Sequence, residues 1–90
     1  MNLVWRASAL DDLDQVISYI AERDRAAAER LLDAIDAAAE RLADHPFMYR
    51  PGRVPGTREA VVHPNYILIY HVTADAVEIV SLVHARQEYP

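Results

Sequence analysis

The sequence predicts an α+β fold in which an antiparallel sheet packs on an N-terminal helical hairpin. Three observations lead to this fold class: a short alternating run at the start, two long segments with helical spacing of apolar residues, and a final third that alternates as strands do. The predicted order is β-α-α-β-β-β, and a chain of 90 residues suffices for one domain, assigned to residues 1–90.

The first strand and the first helix are predicted within residues 2–22. Residues 2–6 alternate, and Ser8 with Asp11 three residues later approximates a capping box, so Ser8 is expected to be the N-cap. One apolar stripe then continues to about Glu22. Its members recur at spacings of three and four residues and are Leu10, Leu13, Ile17 and Ile20.

A second helix is predicted from Arg25 to Ala43, with Asp24 as its N-cap. Alanines and leucines recur along one side of it, and Pro46 ends it because the residue before a proline resists the α region. The connection between the two helices is very short, so they are expected to lie antiparallel as neighbours.

Three strands joined by tight turns are predicted in the last third of the chain, at residues 57–63, 66–73 and 76–84. A two-residue turn at Ala74 and Asp75 would fix the register of the last hairpin. It places His71 opposite Glu78 and Ile69 opposite Val80.

Alternation divides the predicted sheet into a helix-facing side and an opposite side, called the far face below. The helix-facing side is the more apolar and holds Ala60, Val62, Leu68, Tyr70, Val72, Val77, Ile79, Ser81 and Val83. The far face holds Glu59, Val61, Ile67, Ile69, His71, Glu78, Val80, Leu82, His84 and Arg86. One helical layer covers only one side, so part of the far face is expected to stay apolar and exposed until a partner docks. The alternative is that the C-terminus folds over it.

Charge is distributed unevenly along the chain, which has a net charge of −5 and no lysine. Residues 11–44 hold ten acids against four arginines, a balance of −6. Such a chain lacks the positive field that drives nonspecific nucleic-acid binding, and sequence-specific DNA binding is not expected either.

Several classes of site and location are disfavoured by composition and motif. The chain has no cysteine, and no histidine and carboxylate pattern has ligand spacing on a helix, so no metal and no cofactor are predicted. The start lacks a signal-peptide pattern and no apolar run is long enough for a membrane helix. A cytoplasmic protein that does not bind membranes is therefore expected.

The stretch between the helical and β halves, residues 50–59, gathers Arg50, Arg53 and Arg58 among two prolines and two glycines. A loop stiffened in this way presents guanidinium forks that suit phosphates or carboxylates. The alternative is a solvated connector.

The order of these elements, and the short motifs within them, resemble the RelE/ParE superfamily of bacterial toxins over essentially the whole chain. The motifs are Pro46 with Pro51-Gly52-Arg53, Gly56-Thr57-Arg58-Glu59, Asn65-Tyr66 to Tyr70, and Val83-His84-Ala85-Arg86 through Pro90. The resemblance implies the toxin of a type II toxin-antitoxin module, held inactive by a cognate antitoxin of the ParD or RelB kind whose C-terminal segment wraps the sheet and helices. The expected antitoxin contacts are Tyr19, Ile67, Ile69, His71, Val80 and Leu82.

Two mechanisms are implied by this resemblance, and the first is cleavage of messenger RNA on the ribosome. A ribonuclease needs a base, a phosphate clamp and an acid. The catalytic candidates are Glu59, His84, Arg86 and Tyr89, with Arg53 or Arg58 as further phosphate ligands. Ile67 stands where nuclease members usually carry an arginine, and the lysines typical of those members are absent.

The second mechanism, inhibition of DNA gyrase, is favoured because the apolar middle strand and the ending place this chain closer to the ParE branch. It predicts no catalysis, but a target-binding surface made of Arg53, Arg58, His84, Arg86 and Tyr89. A non-toxic protein-binding module is the remaining alternative.

Overall fold

The computed structural model describes residues 1–87 and contains two helices and five strands. The elements are β1 (Asn2–Trp5), α1 (Ala7–Ala21), α2 (Arg25–Asp44), β2 (Arg50–Pro51), β3 (Arg58–His63), β4 (Tyr66–Val72) and β5 (Ala76–His84). The predicted fold class and element order are confirmed, with the two-residue strand β2 as an addition. Tyr89, a predicted site residue, lies outside the described residues.

The five strands form one sheet in the order β1-β5-β4-β3-β2. β3, β4 and β5 pair antiparallel, as predicted, and β2 also pairs antiparallel with β3, but β1 runs parallel to β5, so the whole sheet is mixed. The prediction of a wholly antiparallel sheet is therefore wrong for β1. Tight turns fix the direction of consecutive strands, whereas the partner of β1 is set by the long path through both helices.

The core lies between the helical hairpin and one side of the sheet. From α2 it receives Leu31, Ile35, Ala39 and Leu42, and from the sheet Ala60, Leu68, Tyr70, Val77, Ile79 and Leu82. Helix α1 contributes Ala9 as its fully buried residue, while its larger apolar side chains are only partly covered. The second helix therefore anchors the hairpin to the sheet.

The two predicted helix caps have different outcomes. Asp24 caps α2 as expected, because its side chain accepts a hydrogen bond from the Ala27 amide. The prediction for Ser8 is wrong, since α1 begins at Ala7 and Arg6 occupies the cap position without a side-chain cap bond. The Ser8 hydroxyl instead donates to the Val80 carbonyl at 2.8 Å.

This use of Ser8 belongs to a larger arrangement at the edge of β5. Strand β1 ends opposite Ile79, which leaves the later part of β5 without a strand on that side. Ser8 and Asp12, one helical turn apart on α1, supply the missing partners. The Asp12 carboxylate accepts from the Ser81 hydroxyl at 2.8 Å and from the Leu82 amide at 3.1 Å.

A β-bulge changes the predicted register of the last hairpin. His71 does face Glu78, but Ile69 pairs with Ser81 and Tyr70 with Ile79, so Val80 is an extra residue on β5. Because one inserted residue reverses all later side chains, Leu82 lies in the helix-side core and Val83 lies on the far face. The predicted position of Leu82 on the far face is therefore wrong.

The far face is also less open than predicted. Ile67, Ile69 and Val83 form a second buried cluster, with Ala85 from the turn after β5 packed against it. Ile67 and Ile69 therefore do not belong to the exposed apolar part predicted for the far face, and the turn after β5 contributes to their cover. Val61, which pairs with Ile67, does remain open at 55% exposure.

Candidate functional site

The segment between α2 and β3 is organised around Arg58. Its guanidinium donates to the Tyr49 carbonyl at 2.7 Å and to the Phe47 carbonyl at 3.5 Å. The same group lies 5.1 Å from the centre of the Phe47 ring. Arg58, predicted from sequence as a target contact, thus holds the backbone of the preceding loop.

Glu59 is a buried carboxylate within the same segment, with only 4% of its surface exposed. Arg50 donates to one carboxylate oxygen from Nε at 3.0 Å and from the terminal nitrogen at 2.9 Å, and the Arg53 amide donates to the other at 3.3 Å. β2 and β3 pair at Arg50 and Glu59, so the ion pair reinforces their ladder. This carboxylate is occupied by protein donors.

A tight turn closes the segment between Gly52 and Thr57. The Gly52 amide donates to the Thr57 carbonyl at 2.7 Å, and the Thr57 hydroxyl donates to the Val54 carbonyl at 2.7 Å. A Cβ at Gly52 would collide with the Thr57 hydroxyl, and Gly56 has a φ of +85°, which favours glycine. Both glycines are therefore required by the geometry of this turn.

Tyr70 ties this segment to the core. Its ring is fully buried, and its hydroxyl donates to the Pro46 carbonyl at 2.8 Å. Burial raises the pKa of the Tyr70 hydroxyl, an effect that the Arg58 charge opposes and Tyr49 reinforces. The hydroxyl therefore remains a donor at neutral pH, and the end of α2 is fixed against β4.

The second group of predicted site residues lies at the other end of β5, around His84. The His84 ring meets Tyr66 edge-on with 5.4 Å between ring centres, and Tyr66 in turn contacts His63. The Nδ1 atom of His84 accepts from the Arg86 amide at 3.1 Å, which leaves the proton of the neutral ring on Nε2.

A cleft of about 280 Å³ lies beside His84, between α1 and the sheet. Its walls are Asp12, Gln15, Val16, Tyr66, Ser81, Leu82, His84 and Gln87. The Asp12 carboxylate at its rim is occupied by Ser81 and Leu82, as described above.

Glu59 and His84, two of the predicted catalytic residues, are not brought together. Val80 turns His84 to the helix side of the sheet, beside Tyr66, whereas Glu59 stays on the far face opposite Ile69. The expectation that Glu59, His84 and Arg86 share one face is therefore wrong, and Arg86 lies in the turn after β5.

The predicted target-binding residues divide into two groups. Arg58 pairs with Tyr70 across the sheet, and His84 pairs with Tyr66. Tyr66 and Tyr70 are four positions apart on β4, so the two pairs lie about 13 Å apart along the strand. Arg53 belongs with Arg58 in the loop, and Arg86 belongs with His84.

The predicted antitoxin contacts also have varied positions. Tyr19 is exposed on α1, with the Arg23 guanidinium 3.7 Å from its ring centre. His71 and Val80 are partly exposed, while Ile67, Ile69 and Leu82 are buried.

An apolar groove on the outer side of the hairpin was missed as a site. It has a volume of about 230 Å³ and is lined by Leu10, Leu13, Asp14, Ile17 and Leu32. Three of these residues belong to the stripe that predicted α1. Residues of this stripe thus contribute both to the core and to the groove, and their spacing does not show which of them line the groove.

A polar cluster at the start of α1 was missed as well. Arg6 donates to the Glu78 carboxylate at 2.9 Å and to Nε2 of His71 at 2.7 Å. The Arg6 hydrogen bond has the largest effect and lowers the pKa of Glu78; desolvation opposes it, and the Arg6 charge lowers the pKa further. Arg6 contacts Glu78 and His71 because β1 pairs with β5, and no turn in the sequence predicts that pairing.

Residues 1–87 contain neither a metal-binding cluster nor a membrane-spanning helix. No group of three or more histidines and carboxylates is placed to hold a metal ion in that part of the chain. Neither of the described helices is long and apolar enough to cross a membrane.

Comparison with known proteins identifies relatives that match almost the entire chain. The family model of the ParE toxin of the type II toxin-antitoxin system parDE matches residues 3–89. A protein of Sinorhizobium fredii with the provisional toxin designation Y4kP is 40% identical over 87 residues, covering 96% of this chain and 90% of its own. Toxin RelE2 of Caulobacter vibrioides is 36% identical over 88 residues, covering 96% and 97%.

A solved structure also resembles this fold. A chain of the chromosomal ParDE toxin-antitoxin system from P. aeruginosa superposes with a TM-score of 0.81 at 20% identity, covering 93% of this chain and 95% of that one. At this identity the likeness concerns the fold.

Proposed function

This chain belongs to the ParE toxin family of type II toxin-antitoxin systems, and we propose that it arrests growth by binding and inhibiting DNA gyrase. In this proposal the toxin acts as a protein ligand, and its loop and C-terminal residues make contacts rather than perform chemistry. The contact residues proposed are Arg53, Arg58, His84, Arg86 and Tyr89.

The proposal rests mainly on the separation of Glu59 from His84. A general base must come within hydrogen-bond reach of the proton that it removes. Glu59 is buried and bonded to Arg50 and to the Arg53 amide, on the side of the sheet away from His84. One terminal nitrogen of Arg58 donates hydrogen bonds to two backbone carbonyls. These side chains are better suited to shaping a surface than to attacking a phosphodiester.

A messenger RNA endonuclease is the second candidate, and the cleft beside His84 favours it. The rings of His84 and Tyr66 meet edge to face there, and imidazole and phenol groups can both transfer protons. Arg86 follows in the adjacent turn and would supply positive charge. This version of a nuclease would use His84, Arg86 and Tyr89 without Glu59.

We further propose that a cognate antitoxin neutralises the toxin by covering the helical hairpin. The groove between α1 and α2 offers apolar surface, with Tyr19 exposed on the same helix. Its surroundings are acidic, because residues 11–44 carry a balance of −6. An amphipathic antitoxin segment with basic residues would complement both properties.

The two mechanisms can be distinguished by pulse incorporation of thymidine and of an amino acid, minutes after this chain is induced alone in a bacterial host. Gyrase inhibition predicts that DNA synthesis falls first, and purified toxin should then inhibit supercoiling by purified gyrase. If protein synthesis falls first and supercoiling is unaffected, the gyrase proposal is rejected and the endonuclease takes its place. A His84→Ala variant that stays folded would then be expected to lose activity.

A further inference from the structure

Two large apolar side chains are exposed side by side on the loop after α2. Phe47 is 65% exposed and Met48 is 59% exposed. They lie between α2, which ends at Asp44, and β2, which begins at Arg50. Aromatic residues, methionine and arginine are enriched in the centres of protein interfaces.

The backbone that carries Phe47 and Met48 is held from several directions. The Tyr70 hydroxyl fixes the Pro46 carbonyl, and Arg58 donates to the carbonyls of Phe47 and Tyr49. The Met48 amide also donates to the His45 carbonyl at 3.2 Å. Arg58 covers one side of the Phe47 ring. A loop fixed in this way loses little conformational entropy when it binds.

The charge around this pair is opposite to that of the hairpin. Residues 45–59 contain Arg50, Arg53 and Arg58 against the single acid Glu59, a balance of +2, against −6 for residues 11–44. A partner that suits the hairpin does not suit this loop. The complementary surface for the loop is an apolar pocket with carboxylates around it.

We propose that Phe47 and Met48 are the anchor residues of the toxin on its target protein, inserting into an apolar pocket rimmed by carboxylates, and that Arg58 is the positioning residue for this loop. The identity of the target rests on the function proposed above, but the docking surface does not. The role of Arg58 thus differs from the direct target contact proposed above, because it acts through Phe47 and Met48.

A protein is favoured over RNA as the occupant of this surface. The Arg50 charge is compensated by buried Glu59, which leaves Arg53 and Arg58 as the cations of this loop, fewer than binding along a phosphate backbone ordinarily uses. Met48 has no ring on which a base could stack, although Phe47 has. An apolar pocket accommodates both side chains.

The test is a double variant, Phe47→Ala with Met48→Ala, compared with Val61→Ala. Val61 is a matched control because it is a similarly exposed apolar residue on β3, distant in sequence from the loop. Growth arrest after induction and binding to purified gyrase subunits are measured, with antitoxin binding and thermal unfolding to confirm that each variant folds. We expect the double variant to bind gyrase about a hundredfold more weakly, as two anchors of ordinary strength would imply. Val61→Ala should behave as the parent.

The outcomes separate this inference from the gyrase proposal. If the folded double variant arrests growth as strongly as the parent, the docking surface is wrong whatever the target. If the parent does not bind gyrase but the double variant has lost growth arrest, the docking surface is supported and gyrase is rejected. If the loop cross-links to RNA rather than to protein in arrested cells, the protein-docking inference is overturned.

The positioning role of Arg58 has its own test. Arg58→Lys keeps the charge but replaces the planar guanidinium, whose one terminal nitrogen reaches both carbonyls and whose carbon lies over the Phe47 ring, with a shorter side chain that ends in a compact ammonium. We expect it to weaken gyrase binding nearly as much as Arg58→Ala, and neither change should add to the effect of the Phe47 and Met48 double variant, since both act through the same contact. If Arg58→Lys retains full binding while Arg58→Ala loses it, the charge itself makes the contact and the positioning role is wrong.

Discussion

Glu59 is a carboxylate buried within the fold and paired with a solvated arginine. Its position beside arginines suggested a general base, but it lies buried on the far face with two donors from Arg50 and one from the Arg53 backbone. Arg50 is more than half in water, so the two partners are unequally buried. Removing one partner should therefore differ from removing the other.

Replacing Arg50 by leucine should lower the free energy of unfolding by about 1 to 2 kcal/mol, because it leaves the Glu59 carboxylate buried with a single backbone donor. The value is placed at the low end because Arg50 is well solvated. The double variant Arg50→Leu with Glu59→Leu should be more stable than Arg50→Leu alone, since it removes the unpaired carboxylate. Urea denaturation measures both changes. Equal or lower stability of the double variant would show that the carboxylate is not the source of the loss.

The Arg6 cluster makes a prediction about acid. A Glu78 pKa below its ordinary value of 4.5 means that the folded state binds the proton more weakly than the unfolded state. The stabilisation from ionised Glu78 is thus fully present above about pH 4.5 and is lost as the pH falls through the lower folded pKa. Glu78→Gln should have a lower melting temperature than the parent at neutral pH and should converge with it in strong acid.

The control for this experiment is Asp75→Asn, which removes the same charge at an exposed turn position. Its melting temperature should differ from that of the parent by a similar small amount across the same acid range. A constant difference between Glu78→Gln and the parent at every pH would contradict the role given to Arg6.

At the scale of elements, α1 completes the sheet where β1 ends. Asp12 accepts from the amide of buried Leu82 and from the Ser81 hydroxyl, and Ser8 donates to the Val80 carbonyl one residue earlier. An exposed strand edge normally invites pairing with another chain. Here Ser8 and Asp12 of α1 bond to polar groups on this edge of β5 and so fix α1 against the strand.

Asp12→Ala should therefore destabilise the fold by about 1 to 3 kcal/mol, since it leaves the Leu82 amide without its acceptor. Asp12→Asn retains a carbonyl oxygen and should cost less. Asp11→Ala, at the exposed neighbouring position, is the matched control and should have little effect. Urea denaturation together with hydrogen exchange at the Leu82 amide provides the measurement. Unchanged exchange at Leu82 in Asp12→Ala would show that this amide is protected by other means.

The same region shows which features can be predicted from sequence. Apolar spacing predicted both helices and the Asp24 cap predicted the start of α2, while the turn at Ala74 and Asp75 correctly predicted the pairing of His71 with Glu78. The bulge at Val80 could not be predicted, because valine is an ordinary strand residue and nothing in the pattern marks an insertion. Every face assignment after it was consequently reversed.

The candidate site was less predictable than the fold for a related reason. The partner of Glu59 lies on β2, which has only two residues and shows no alternation. The partners of Ser8 and Asp12 lie on β5, some seventy residues away in sequence. Local patterns identify which residues can do chemistry, whereas long-range packing determines which of them are already occupied.

At the scale of the whole molecule, opposite charges lie on different surfaces. The acidic hairpin and the arginine-bearing loop would favour partners of opposite character. A toxin with separate surfaces for antitoxin and target can be disabled on one without losing the other. The two activities should then be separable by mutation.

Asp14→Lys tests this separation, because Asp14 lines the apolar groove of the hairpin and its side chain is exposed. It should weaken binding to a basic antitoxin segment and leave growth arrest intact, so that co-expressed antitoxin no longer protects the cell. Asp75→Lys makes the same charge change in the turn before β5 and should leave protection unchanged. Titration of purified antitoxin at rising salt should narrow the gap between Asp14→Lys and the parent, since salt screens the lost attraction. If co-expressed antitoxin protects cells equally well against both variants, the antitoxin does not bind along this groove.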